Sequence, residues 1–142
     1  MRARVLGDGV AAGAVAAAVS GLPSTAWALA TGRDALEATL AAGSLLLPNE
    51  TRRTRLVAAA FPVHLALSLG WAVVLARSLP PRRTVAAGAA AGLGIAAFDL
   101  GVVGGAFPRV RALPLLPQLA DHVVYGATVG FVVARRRGII SA

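Results

Sequence analysis

Residues 56–76 read LVAAAFPVHLALSLGWAVVLA, with Arg52, Arg53 and Arg55 before them and Arg77 after. These 21 residues carry no formal charge. At 1.5 Å per residue, a helix of that length crosses about 30 Å of hydrocarbon. The stretch has no polar face of the kind a surface helix needs in water, so lipid is the solvent it suits. Two of its residues stand out: Pro62, which weakens a helix ladder, and His64, a titratable group deep in an apolar run.

Outward from this stretch the pattern recurs. Residues 9–30, 85–107 and 113–134 are three further apolar runs of spanning length, and the first is free of charge from Gly9 to Gly32. Pro80-Pro81 separates the second run from the third, Pro108 closes the third, and Pro114 and Pro117 fall in the first turns of the fourth, where a missing N–H costs least. The whole chain agrees: of 142 residues, 57% are hydrophobic and 14% charged, with a mean hydropathy of +0.73. That composition excludes a disordered tail. The absence of cysteine excludes a disulfide scaffold and a Cys-ligated zinc module. The expected fold is an all-α, single-domain integral membrane bundle of four transmembrane helices plus one short interfacial amphipathic helix.

That fifth helix is residues 34–47. Asp34 and Glu37 have the spacing of a helix cap with an acid at the third position, Pro48-Asn49 ends the segment, and 14 residues are too few to span. An interfacial or re-entrant position follows.

The chain has 14 arginines, no lysine and a formal net charge of +8. The arginines lie in short clusters between the apolar runs, as interfacial anchors do, and not in a stripe suited to nucleic acid. With four spans, Arg2, Arg4, Arg77, Arg82, Arg83 and Arg135–Arg137 share one side and the other six arginines share the opposite side. The positive-inside rule then places both termini in the cytoplasm; arginine without lysine, beside abundant alanine and glycine, suggests a bacterial source and hence a plasma (inner) membrane. A fifth span at 34–47 would divide the arginines seven against seven. Ala28-Leu-Ala30 also mimics a signal-peptidase site after an apolar run, although Asp8 fits a signal peptide poorly.

The bundle needs close packing, because lipid supplies little hydrophobic drive between helices. Gly9/Gly13, Gly88/Gly92, Gly101/Gly105 and Gly126/Gly130 each have i, i+4 spacing and are the expected helix-packing positions. The sequence also hints at a repeat. Val10-Ala-Ala-Gly-Ala14 recurs as Val85-Ala-Ala-Gly-Ala89, and His64-to-Arg77 has the same spacing as His122-to-Arg135. Two helical hairpins running in parallel would explain both coincidences.

The candidate site is an intramembrane polar cluster: His64, Asp99, Asp121 and His122. In the four-span arrangement all four fall at one depth, roughly 12–13 Å below the outer edge, on three different helices. Gln118 and Tyr125 extend the polar face of the fourth run and are supporting residues. Three roles fit. The leading one is a structural carboxylate–imidazole staple in a non-enzymatic scaffold or partner-binding protein. The alternative is proton-linked transport or a channel subunit, and the third is an intramembrane metal site, which the scattered spacing supports least. No serine, cysteine or metal-protease motif is present, so no catalytic residue, cofactor or metal is expected. Asp8 reads as a carboxylate at a helix N-terminus. The expected partners are the lipid bilayer and a second copy or another membrane protein.

At Gly32-Arg33-Asp34, Ala42-Gly-Ser-Leu-Leu-Leu47, Asp99-Leu-Gly101, Arg111-Ala-Leu-Pro114 and Asp121-His-Val-Val-Tyr-Gly126 the chain resembles uncharacterised small actinobacterial four-helix membrane proteins. That resemblance implies a topology and no mechanism. A fainter one, to YagU-like inner-membrane proteins, rests on the Gly-rich first span, the histidine of the second and the His-x-x-Tyr-Gly-like fourth; the chain lacks that family's long periplasmic insert.

Overall fold

The computed structural model describes residues 2–140; the side chain of Arg2, counted above among the arginines of one side, lies outside the described residues. The described chain is all-helical. In order it comprises α1 (Arg2–Val19), α2 (Leu22–Ala30), α3 (Glu37–Leu46), α4 (Arg53–Ser78) and α5 (Thr84–Ala96). After α5 come a π-helical segment (Ala97–Val103), a 3₁₀ turn (Gly104–Ala106), α6 (Pro108–Arg111) and α7 (Leu115–Arg136).

Three helical stretches are long and apolar enough to cross a membrane: Arg4–Ala30, Arg53–Ser78 and Thr84–Ala106. The fourth expected span is not among them. Its helix, α7, has 22 residues and is long enough, but its polar residues leave it less apolar than the three. The physical reason lies in its position. α7 packs against α1, α2, α4 and α5, so its polar side chains meet protein rather than the surroundings, and an element covered in that way need not be apolar throughout.

Alanine makes up much of the interior beside a few large residues such as Leu56, Val129 and Val133, and many large residues face outward. The buried set is rich in alanine (Ala12, Ala16, Ala28, Ala72, Ala76, Ala96), while Phe61 is 73% exposed, Leu29 68% and Val102 67%. Such an inversion suits a protein whose surroundings are as apolar as leucine.

Two of the closely packed helix pairs join long helices. A Cβ at Gly9 would meet Val73, and one at Gly13 would meet Ser68 and Ala72, which joins α1 to α4. A Cβ at Gly88 would stand 2.2 Å from the Gly126 carbonyl oxygen, one at Gly92 2.1 Å from that of His122, and one at Gly130 2.6 Å from that of Thr84, which joins α5 to α7. Gly101 and Gly105 do not pack: nothing lies within 4 Å of a Cβ built on either. They follow the start of the π segment, where a wider turn shifts the phase of later residues away from the face set by Gly88 and Gly92. Each residue of shift rotates that face by about 100°.

α3 is shorter than expected and is not a free surface helix. Asp34 does not cap it directly. Its carboxylate accepts the Leu36 N–H (3.0 Å) and its carbonyl accepts that of Glu37 (3.0 Å), so an extra turn precedes the helix. Glu37 pairs with Arg33 (2.8 Å) rather than reaching back to the cap. Leu40, Ala41, Gly43 and Ser44 are buried, and Gly43 sits so close to α4 that a Cβ there would strike the Leu56 carbonyl at 2.0 Å.

Candidate functional site

The first long helix is broken. Its ladder runs as far as the Ser20 N–H on the Ala16 carbonyl (2.9 Å), and Leu22-Pro23 then starts α2, with proline supplying no N–H. Broken ends inside a bundle need partners, and two other helices provide them. His64 of α4 donates its Nε2–H to the Ala17 carbonyl at 2.9 Å. Asp121 of α7 accepts the Ser24 N–H at 2.9 Å, which caps the N-terminus of α2 with a carboxylate from a different element. An acceptor oxygen at this position is also favoured by the half-helix dipole.

The other two polar residues form a second pair. Asp99 lies on the π segment, and its Oδ2 is 3.7 Å from Nε2 of His122. Side chains tilt toward the N-terminus of their own helix. On antiparallel α5 and α7 that tilt sends the two groups toward each other. His122 Nδ1 is 2.8 Å from the Gln118 carbonyl; a carbonyl only accepts, so that nitrogen carries a hydrogen. Nε2 then faces the Asp99 carboxylate, too far for a direct hydrogen bond but within ion-pair reach when that nitrogen is protonated. Tyr125, buried on α7, donates its hydroxyl to the Ser68 carbonyl of α4.

All four residues line one cavity of about 610 Å³, together with Gln118, Tyr125, Ser20, Ser24 and Thr25. Its apolar walls include Phe61, Leu67 and Trp71 of α4, Leu22 of α2 and Leu45 of α3. Leu22, Phe61, His64 and Leu67 are exposed, so the cavity opens sideways between the break in the first helix and α4. Beyond Gly13, α1 and α4 no longer have a glycine contact to hold them together. Trp71, which lines the cavity, meets the exposed Phe98 ring edge to face, centroids 5.9 Å apart. Among the described residues no three His, Asp or Glu side chains converge as metal ligands; Asp121 and His64 are committed to backbone partners on α2 and α1.

Two charged groups outside the cavity were not read correctly from the sequence. Asp8 lies past the first turn of α1 and is 2% exposed. Its partners are Arg136 (2.8 Å) and Arg137 (3.5 Å), so a pair of arginines explains it rather than the helix dipole. Arg137 also donates to the Ala76 carbonyl, tying α7 to α4. Its setting between Gly7 and Gly9, inside a helix, was the available signal. At the opposite end Arg53 pairs with Asp34, and this guanidinium, with the Leu36 N–H, holds the Asp34 carboxyl at about 2. Glu50 is likewise held at about 2, chiefly by the Arg52 N–H, with the Thr51 N–H and Arg55 adding to it. The Asp34–Arg53 pair tethers the start of α4 to the turn before α3, and the Glu50 contacts hold the turn that leads into α4.

No protein-family model, no curated protein and no solved structure matches the chain.

Proposed function

We propose that the chain is a four-span bacterial inner-membrane protein that binds a small solute in the cavity between its helices and links occupancy to the Asp99–His122 proton. In this proposal α7 is the fourth span, both termini are cytoplasmic, and α3 lies at the outer face. The observation that carries it is the 610 Å³ cavity with all four polar residues on its wall. Sites of this kind form where spans are discontinuous and neighbouring helices satisfy the freed backbone. Within the site the four residues divide the work: His64 and Asp121 hold the broken helix, and Asp99 and His122 share the mobile proton.

The second reading, a non-enzymatic scaffold with a purely structural cluster, is favoured by the bonds of His64, Asp121 and Tyr125 to backbone groups on neighbouring helices. Water access separates the two. The chain has no cysteine, so Ser20→Cys gives a single thiol at a position that is 5% exposed yet lines the cavity. A membrane-impermeant thiosulfonate reagent added outside intact cells is expected to label Ser20→Cys and to leave Leu93→Cys, on an outward face, unlabelled. Failure to label Ser20→Cys means a dry cluster and the scaffold instead.

A further inference from the structure

Assuming the binding role just proposed, we infer that the cavity takes a monovalent lipophilic cation, exchanged one for one with the proton shared by Asp99 and His122. The charge of the lining argues for it. Among the described residues no arginine, lysine or glutamate lines the cavity; its only charged or chargeable groups of ordinary pH range are Asp99, Asp121, His64 and His122. The fixed charge is therefore that of two carboxylates, offset only by protons on imidazoles. An anionic solute would find no site: the one half-helix N-terminus that could receive it is already occupied by Asp121, bonded to Ser24. Asp121 is thus committed, and Asp99 is the carboxylate left to meet a ligand.

The rest of the lining sets the ligand's other properties. Phe61, Trp71 and Tyr125 present aromatic surface to the cavity, and aromatic faces attract a desolvated cation. The sideways opening, with Phe61 and Leu22 exposed on its rim, admits a molecule dissolved in the hydrocarbon. A volume of about 610 Å³ is within the range that holds drug-sized ligands.

Charge and protons balance in the exchange. Before binding, the proton lies on His122 Nε2 against the Asp99 carboxylate. The arriving cation takes the place of that positive charge, the Nε2 proton leaves to water, and the imidazole remains neutral with its Nδ1–H on the Gln118 carbonyl. The groups facing the pair are Asp121 and Tyr125 from α7 and His64 from α4; α2 and α3 offer only Ser24, Thr25 and Thr39. The net charge of the cavity is the same with proton or cation, so the two compete.

The test is calorimetric titration of the purified protein in detergent near neutral pH with tetraphenylphosphonium, in two buffers of different ionisation enthalpy. Triphenylphosphine oxide, similar in shape and neutral, is the control. The expected result is saturable cation binding with up to one proton released per cation, and at least tenfold weaker binding of the neutral control. Asp99→Asn is expected to lose both the cation affinity and the proton release, and Asp99→Glu to recover them in part. Equal binding of the neutral probe without proton release overturns the cation assignment and leaves the binding cavity standing. Binding of neither probe also overturns it, and the Ser20→Cys labelling then decides separately whether a wet cavity exists. Since wild-type proton release is read directly, the outcome does not depend on the variants folding.

Discussion

Replacing Gly126 with alanine tests the packing on which the site rests. A Cβ at Gly126 would stand 2.1 Å from the Gly88 carbonyl oxygen, and the reciprocal distance from Gly88 to the Gly126 oxygen is 2.2 Å. Ordinary contact begins near 3.4 Å, so α5 and α7 must part by more than 1 Å or bend. A gap of about 0.5–1 Å forfeits a quarter to a half of the dispersion well at each contact along the seam, and overpacking of a fitted interface costs about 1–3 kcal/mol. Alanine returns up to about 1 kcal/mol through helix propensity. The expected net loss is about 1–2 kcal/mol. Gly94 supplies the internal control: it lies on α5, yet nothing is within 4 Å of its Cβ position, so Gly94→Ala should be neutral or more stable by up to about 1 kcal/mol. The difference between the two variants, about 1–3 kcal/mol, is what unfolding by denaturing detergent, followed by circular dichroism, should read. Equal stability of Gly126→Ala and Gly94→Ala would refute the claim that glycine contacts set the α5–α7 distance.

Three other perturbations have definite expected outcomes. Asp121→Ala removes the cap of α2 and should cost about 1–2 kcal/mol in the same unfolding assay, with Asp121→Asn, which keeps an accepting oxygen, losing less; equal losses would mean that the Ser24 bond is not what Asp121 contributes. Asp8→Ala leaves Arg136 and Arg137 without their shared carboxylate and should cost about 1–3 kcal/mol, held to that range because the Arg136 side chain is 48% exposed; an unchanged melting temperature would show the pairing to be incidental. Asp34 and Glu50 titrate at about 2 when folded, below their ordinary 3.8 and 4.5. Their contribution is therefore complete above about pH 4.5 and is lost as the pH falls toward 2. The melting temperature should drop across that window and drop less in Asp34→Asn, whereas an identical drop in the variant would assign the acid sensitivity elsewhere.

The parts of the fold visible in the sequence are those set by composition and local chemistry. Apolar runs gave three of the long helical stretches to within three residues, while the first starts seven residues before the expected Gly9, and the rarity of titratable groups in these runs marked out His64, Asp99, Asp121 and His122. Their partners were not visible, because each depends on an irregularity in the backbone. The break at Ser20–Gly21 frees the Ala17 carbonyl for His64 and the Ser24 N–H for Asp121. Pro23 signalled a disturbance there but not which side chains would meet it. The π segment, for its part, has no marker as strong as proline, and it both carries Asp99 and turns Gly101 and Gly105 away from the neighbouring helix. Asp8 was misjudged for a related reason: its two arginines lie about 130 residues away, and no local pattern announces them.

The two hairpins match more closely in their contacts than in their residues. A shift of 75 places Gly13 on Gly88, and a shift of 58 places Ser68 and Ala72 on Gly126 and Gly130. The Gly13 position touches Ser68 and Ala72, and the Gly88 position touches Gly126 and Gly130. The same shifts place Ala17 on Gly92 and His64 on His122. The first pair meets through the His64 ring on the Ala17 carbonyl, and the second meets backbone to backbone. Ser24 falls on Asp99, and each meets a polar residue of α7. The irregular stretches coincide too, since Leu22, where α2 begins after the break, falls on Ala97, where the π segment begins. Where the hairpins agree, glycine and alanine pack them closely. Where they differ, one histidine mends a broken helix, and the other lies 3.7 Å from the Asp99 carboxylate on the wall of the cavity. In the proposed binding site, that difference leaves Asp99 and His122, rather than His64 and Asp121, to meet a ligand.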